Sequence, residues 1–195
     1  MFKIFKNNKA PKLNPEISEN PNILFDTEIS SNELSFFGLH LGDKVENLNI
    51  ENIRTTSMER IPAIANSSSY HDGKVFYIVD GKEIEFELQD RIVSVFENNG
   101  WLHMDTGAKY RIRDKVIVEF ALHDKLLDPY KPIKKQNIEH KFGKADKIKE
   151  TYENYDGSLF YTDYIYLDRQ LRIHFQDWDK EINGINIGET LINYE

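Results

Sequence analysis

The fold is decided by the stretch Val75-Phe-Tyr-Ile-Val-Asp-Gly-Lys-Glu-Ile-Glu-Phe-Glu-Leu88. Two runs of strand-forming residues flank an Asp-Gly pair, which is the strongest short-range signal for a β-hairpin. Because side chains alternate between the two faces of a strand, the second run separates three apolar residues from three carboxylates. The apolar residues are Ile84, Phe86 and Leu88, and the carboxylates are Glu83, Glu85 and Glu87. We therefore predict one face against a core and the other in water.

The segments around this hairpin predict a larger antiparallel sheet. Residues 92–96 follow a turn at residues 89–90 and would complete a three-stranded meander. Residues 66–73, which come before the hairpin, have the composition of a loop.

A further hairpin is predicted between residues 110–113 and residues 116–122. Pro129 and Pro132 lie beyond it, and we expect a boundary between two halves of the chain in this region.

The last third of the chain predicts a second meander, with strands at residues 159–167, 171–175 and 182–187. Its middle strand again alternates between two faces. Leu171, Ile173 and Phe175 point one way, and Arg172, His174 and Gln176 point the other.

Each meander follows a short helical segment. Asp43, with a Glu three residues later, is an N-cap signature, and residues 133–142 predict a helix that ends at Gly143. Residues 77–88 and 164–175 also share a strand-turn-strand pattern. We therefore predict an α+β fold of antiparallel meander sheets, each packed by a short helix, with a tandem duplication as the hypothesis for its origin.

Three segments are expected along the chain. Lysines and prolines interrupt any regular period in residues 1–33, which predicts a flexible arm. Residues 34–128 are expected to form the first helix-plus-meander unit, and residues 129–195 the second.

Composition limits the classes of partner. The 195 residues include 25 Lys and Arg against 33 Asp and Glu, for a formal net charge of −8. Nucleic acids and anionic membranes are bound by clustered basic residues, so we expect neither as a partner. There is no cysteine, which excludes disulfides and thiolate metal sites. We find no secretion signal or membrane span in the sequence and expect a soluble cytoplasmic protein.

The sequence contains no motif that is typical of a catalytic or cofactor-binding site. Ser67, His71 and Asp72 are close in sequence, but catalytic triads are assembled from distant positions. The histidines are scattered singly, and the acidic turn at Asp177 and Asp179 lacks the ligand pattern of a calcium loop. We therefore expect no enzymatic activity, no bound metal and no cofactor.

Two short motifs resemble those of a known group of repeats. They are Gly38-Leu-His-Leu-Gly-Asp43 and Phe142-Gly-Lys-Ala-Asp146, the second ahead of a Tyr-rich meander. They are similar to motifs of the small repeats in outer-membrane-assembly lipoproteins of the SmpA type and in β-lactamase-inhibitor-like proteins, over about a third of the chain. This resemblance implies a sheet whose open face grips another protein, and no catalytic centre.

We predict a non-enzymatic protein-binding module, in its most concrete form an inhibitor or immunity-type protein that neutralises a basic partner. The predicted partner-binding residues are Glu83, Glu85, Glu87, Tyr161, Trp178, Arg172 and His174, with Trp101 as a further aromatic candidate. The acidic row has a second interpretation, as a solvated face neutralised by neighbouring basic residues. The identity of the partner and the oligomeric state stay open.

An alternative function is a small-molecule-binding protein or enzyme with its site between the two halves. His71, His103 or His174, with nearby tyrosines, would supply that site.

Overall fold

The computed structural model describes residues 15–58, 67–71 and 74–189, and β-strands make up most of their regular structure. The strands are β1 (Ser35–Phe36), β2 (Leu39–His40), β3 (Ile53–Met58), β4 (Ser67–His71), β5 (Lys74–Val79), β6 (Lys82–Glu85), β7 (Gly100–Met104), β8 (Ala108–Arg113), β9 (Val116–Leu122), β10 (Lys147–Tyr152), β11 (Leu159–Tyr166), β12 (Leu171–Gln176) and β13 (Glu181–Gly188). The α-helices of the described residues are α1 (Leu88–Asn98) and α2 (Ile138–Phe142), and 3-10 turns lie at Pro21–Phe25, Ser31–Glu33, Val45–Asn47, Ile50–Asn52, Asp124–Leu127 and Lys135–Asn137.

An eight-stranded antiparallel sheet dominates the fold, with the strand order β10-β11-β12-β13-β9-β8-β7-β3. β1 and β2 form a separate hairpin, and β4, β5 and β6 form a three-stranded sheet in that order. The α+β class with antiparallel sheets, as predicted from the sequence, is confirmed.

Tight turns fix the register of two predicted hairpins. Asp80 and Gly81 both have positive φ, of 50° and 75°, in the two-residue turn between β5 and β6. Asp114 and Lys115 make the same kind of turn between β8 and β9, with φ of 50° and 64°. Turns of this type match the right-handed twist of the strands they join. The second meander, formed by β11, β12 and β13, also has the predicted pairing.

Residues 92–96 are part of α1, so the prediction of a third strand in the first meander is wrong. Ile92 and Val95 are buried, Phe96 packs against the core, and Val93 is 44% exposed. This spacing defines one face of a helix, and α1 packs against β3, β7 and β8. A short apolar run fits the period of a strand as well as that of a helix, and here the packing surface decides between them.

The acidic hairpin, which consists of β5, β6 and the carboxylates Glu83, Glu85 and Glu87, also differs from the prediction. All four residues of β6 are exposed, including Ile84 at 40%, so this strand has no sealed apolar face. β6 is an edge strand, and its sheet is completed by β4, in a segment predicted to be a loop. Glu87 precedes α1 as its N-cap, which means that the alternation predicted for a strand stops at Glu85.

The described part of the predicted flexible arm, residues 15–33, packs against the core. Ile17 and Leu24 are buried, and the Tyr130 hydroxyl donates to the Pro21 carbonyl oxygen at 2.7 Å. The Arg169 guanidinium donates to the Leu24 carbonyl oxygen, also at 2.7 Å. Short 3-10 turns carry no long hydrophobic period, so the sequence pattern does not reveal this packing. Residues 1–14 lie outside the described residues.

The two predicted helices are shorter than expected. The N-cap signature at Asp43 leads into a single 3-10 turn at Val45–Asn47. The second helix is reduced to α2 after another 3-10 turn, and it ends as predicted at Gly143, whose φ is 91°.

Strands from both predicted units are neighbours in one sheet, because β13 pairs with β9. The boundary after residue 128 stays a prediction about domain organisation, but it does not interrupt this sheet. The two hairpins compared in the sequence lie in different sheets, β5–β6 in the three-stranded one and β11–β12 in the eight-stranded one. The sheet topology therefore does not confirm a duplication.

The close approach of β13 to β9 leaves no room for a side chain at Gly188. Gly188 has a φ of 125°, and an added Cβ would overlap the Val118 carbonyl oxygen and lie 2.8 Å from the Glu119 Cα. At Gly184, on the same strand, the nearest atom would be the His174 Cβ at 3.5 Å, an ordinary contact. We expect Gly188→Ala to destabilise the protein by roughly 2–4 kcal/mol in urea unfolding, and Gly184→Ala to change stability by less than about 1 kcal/mol. Equal unfolding midpoints for the two variants would contradict this.

Candidate functional site

The candidate site lies on the polar face of the eight-stranded sheet. Leu102, Tyr110 and Phe120 point into the core, and the residues next to them in sequence point to the opposite face. That second face carries Trp101 and His103 on β7, Lys109 on β8, Ala121 on β9, Arg172 and His174 on β12, and Asn186 on β13. Alternation along the strands thus gives the sheet an apolar face and a polar face.

One row of residues runs straight across this polar face. Arg172 lies opposite Asn186, Asn186 opposite Ala121, Ala121 opposite Lys109, and Lys109 opposite His103. The long basic side chains therefore stand on both sides of the small Ala121.

The row forms part of a cavity of about 400 Å³. Ala121 and Gly184 are small residues in its lining, and larger side chains surround them. The larger ones are Trp101, His103, Lys109, His123, Arg172 and His174. The volume lies within the range of roughly 300–1,000 Å³ that is typical of small-molecule sites.

Two of the imidazoles are neutral at physiological pH. Burial lowers the pKa of His103 from 6.5 to about 4, and the charges of Lys109 and Arg54 act in the same direction. Burial likewise lowers the pKa of His123 to about 4, with a further contribution from Lys109. Burial also lowers the pKa of Lys109 itself, although the charge of Asp124 opposes this. The cavity therefore disfavours any additional positive charge.

A buried carboxylate holds the middle of the site together. Glu119 is 0% exposed; its Oε1 accepts from Asn186 Nδ2 at 2.6 Å, and its Oε2 accepts from Arg111 at 3.3 Å. Asn186 Oδ1 in turn accepts from Arg172 at 3.0 Å. These bonds join four neighbouring strands and fix the positions of the Arg172 and Asn186 side chains beside the cavity.

Two of the cavity imidazoles have side-chain partners within hydrogen-bonding distance. His174 Nδ1 lies 2.8 Å from the buried Asp163 carboxylate, and its ring contacts that of Tyr161 at a centroid distance of 4.5 Å. Ser57 Oγ lies 3.1 Å from His103 Nε2. A carboxylate partner orients an imidazole, so His174 has a fixed position at the cavity wall.

The predicted site residues fall into two groups. Tyr161, Arg172 and His174 come together on β11 and β12, and Trp178 lies in the turn after β12, where it is 65% exposed. Glu83 and Glu85 lie on β6 of the other sheet, with Glu87 just after it, and all three are exposed. His103 and Trp101 line the cavity, whereas nothing is described of the His71 side chain and Asp72 lies outside the described residues.

Seven residues of the cavity lining are absent from the predicted set, including the polar or ionisable Lys109, His123 and Asn186. Lys109 and Asn186 lie on β8 and β13, and His123 directly follows β9; the sequence identifies these strands in whole or in part. Alternation from Phe120 and Leu122 would have placed His123 on the polar face. Its proximity to His174 depends on the pairing of β9 with β13, which links residues far apart in sequence.

Among residues 15–58, 67–71 and 74–189, no group of three or more His, Cys, Asp or Glu side chains is placed to hold a metal ion. Within those same residues, no helix has both the length and the apolar character needed to cross a bilayer.

Comparison with known proteins adds little to this geometry. No family model matches the sequence, and no curated protein matches it. The chain is similar to the crystal structure of a DUF4309 family protein (YjgB) from Bacillus subtilis subsp. subtilis str. 168, with 16% sequence identity and a TM-score of 0.31. The match covers 47% of this chain and 64% of that chain. The resemblance to SmpA-type and β-lactamase-inhibitor-like repeats stays a prediction.

The two neutral imidazoles predict a pH dependence of stability. The unfolded chain takes up protons at these histidines near pH 6.5, whereas the folded chain does so near pH 4. Their contribution to stability is therefore complete above pH 6.5 and is lost as the pH falls towards 4. We expect the urea midpoint of His103→Asn/His123→Asn to depend less on pH in this window than that of the unaltered protein. NMR titrations in which both imidazoles titrate near 6.5 would contradict the assignment.

Proposed function

We propose that this protein binds a small molecule in the cavity on the polar face of the eight-stranded sheet, without catalysing its conversion. The observation that carries the proposal is the cavity of about 400 Å³, with Ala121 and Gly184 between polar side chains of neighbouring strands. Small-molecule sites are concave, largely preformed and supplied with a few fixed polar groups. The cavity has each of these features.

The fixed polar groups support binding in particular. Arg172 is held through Asn186 by the buried Glu119, and His174 is held by Asp163. Side chains that are already ordered lose little conformational entropy when a ligand binds. These bonds therefore favour a site that recognises a ligand by shape and hydrogen bonding.

The acid-base properties of the cavity favour binding over nucleophilic catalysis. Ser57 and His103 are within hydrogen-bonding distance, as a serine nucleophile and its base would be. However, a histidine whose pKa is about 4 is a weak base, and efficient general bases have pKa values near the working pH. His103 is therefore better suited to accept a hydrogen bond than to activate Ser57.

The experiment is a thermal-shift screen of a metabolite library against three forms of the protein. Ala121→Leu adds three carbon atoms inside the cavity and reduces its volume, and Val93→Leu, which adds one carbon atom on the exposed side of α1, is the control. A ligand at 100 times its dissociation constant stabilises by about 2.7 kcal/mol, which raises Tm by roughly 5–10 °C for a chain of this length. We expect such shifts for the unaltered protein and Val93→Leu.

For Ala121→Leu we expect the same shifts to disappear while the Tm without compound stays close to that of Val93→Leu. Compounds that stabilise all three forms equally, or a library without any stabilising compound, would count against the proposal.

Docking of a basic protein on the acidic hairpin is a second candidate function. The observation in its favour is the exposure of Glu83, Glu85 and Glu87. Negative charge steers basic partners and speeds their association. Charged residues on an edge strand such as β6 have another use, since they prevent edge-to-edge aggregation of sheets. The two roles differ in whether the charges are needed for a complex.

Charge reversal separates these two roles. Glu83→Lys/Glu85→Lys/Glu87→Lys is compared with Glu28→Lys/Glu51→Lys/Glu153→Lys, which makes the same change of net charge at other exposed positions. If the hairpin docks a basic protein, the first variant loses a partner that co-purifies with the unaltered protein, and the second retains it. Retention of every partner by both variants would rule out the docking role.

A further inference from the structure

The lining of the cavity has a charge opposite to that of the chain as a whole. The chain has a net charge of −8, whereas the residues that line the cavity include the cations Lys109 and Arg172 and, among the described residues, no carboxylate. A cationic pocket in an acidic protein requires a local cause, and a negatively charged ligand is the simplest one.

The nearest carboxylates are already engaged by the protein. Glu119 accepts from Asn186 and Arg111, and Asp163 pairs with His174. The charge of Asp124 raises the pKa values of Lys109 and His123, but Asp124 itself is exposed, at the start of a 3-10 turn. None of these three carboxylates is among the residues that line the cavity.

The placement of the two cations matches one anionic group between them. Arg172 and Lys109 lie in the same row, with β13 and β9 between their strands. Strand spacing separates their backbones by about 14 Å, and both long side chains border the cavity above Ala121. Two cations that converge on one group from opposite sides form charge-assisted hydrogen bonds with it.

The other polar groups of the cavity suit hydroxyls. Because His103 and His123 are neutral, each ring has one donor and one acceptor nitrogen. The Asn183 amide adds a further donor and acceptor to the lining. Hydroxyl groups both donate and accept, so they can satisfy such mixed partners.

We infer that the cavity takes a small organic anion that carries hydroxyl groups, with its charged group between Lys109 and Arg172. This inference rests on the proposed ligand-binding function and names the chemical class of the ligand. Carboxylates and phosphate esters share the required charge, and the two are separated by the choice of probes.

Isothermal titration calorimetry tests the inference with matched probes. Gluconate is compared with its neutral amide, gluconamide, and glucose 6-phosphate with glucose. Lys109→Gln and Arg172→Gln each remove one cation of the cavity, and Lys144→Gln removes the charge of an exposed lysine elsewhere as the control. Urea unfolding of each variant without ligand reports on its stability.

We expect an anionic probe to bind and its neutral counterpart to bind at least about tenfold more weakly. We expect Lys109→Gln and Arg172→Gln each to lower the affinity for the anion by at least about tenfold. We expect Lys144→Gln to lower it by less than about twofold. Binding of gluconate identifies a carboxylate as the charged group, and binding of glucose 6-phosphate alone identifies a phosphate ester.

The inference is overturned if neither anion binds, or if gluconamide and glucose bind as tightly as the charged probes. It is also overturned if Lys144→Gln lowers the affinity for the anion as much as the two cavity variants do. If compounds from the library screen still lose their effect in Ala121→Leu, the cavity remains a ligand site and only the anionic class is wrong.

Discussion

The pairing of β9 with β13 is the interaction on which the rest of the structure depends. It joins strands from both halves of the chain into one sheet, and the buried Glu119 carboxylate lies at this junction. A charge without solvent is costly unless it is paired and hydrogen-bonded, and here Asn186 and Arg111 supply the partners from the strands on either side. Because a slip of one residue would turn Glu119 into the apolar core, the carboxylate and its partners specify the register of the central strands.

This register also creates the cavity. It aligns Arg172, Asn186, Ala121 and Lys109 in one row and places Gly184 beside His174 and His123. The small residues Ala121 and Gly184 leave space in the cavity, and basic and aromatic side chains surround them. The bonds that stabilise the centre of the sheet therefore also position the side chains of the candidate site, so stability and recognition depend on the same residues.

The sequence predicts those parts of the fold that have a long local pattern. The hairpin of β8 and β9 and the meander of β11 to β13 follow from alternation, as do the positions of Arg172 and His174 on a polar face. The strand predicted at residues 92–96 fails because its short apolar run also fits α1. The packing of residues 15–33 has no periodic signal. Lys109, His123 and Asn186 could not be grouped in advance, because the pairing of β9 with β13 joins residues more than 60 positions apart.

The contrast between an acidic exterior and a basic cavity affects how an anion of the proposed class would be recognised. The net charge of −8 repels anions at long range, so electrostatic steering cannot raise their association rate. At physiological ionic strength this repulsion is screened beyond about 8 Å, whereas Lys109 and Arg172 act at contact distance on the cavity. Selectivity would then arise after encounter, from the match between the two cations, the neutral imidazoles and the groups of the ligand. An anion without hydroxyls would satisfy the cations but form no hydrogen bonds with the neutral imidazoles, and polar groups that lose water without gaining a partner lower affinity.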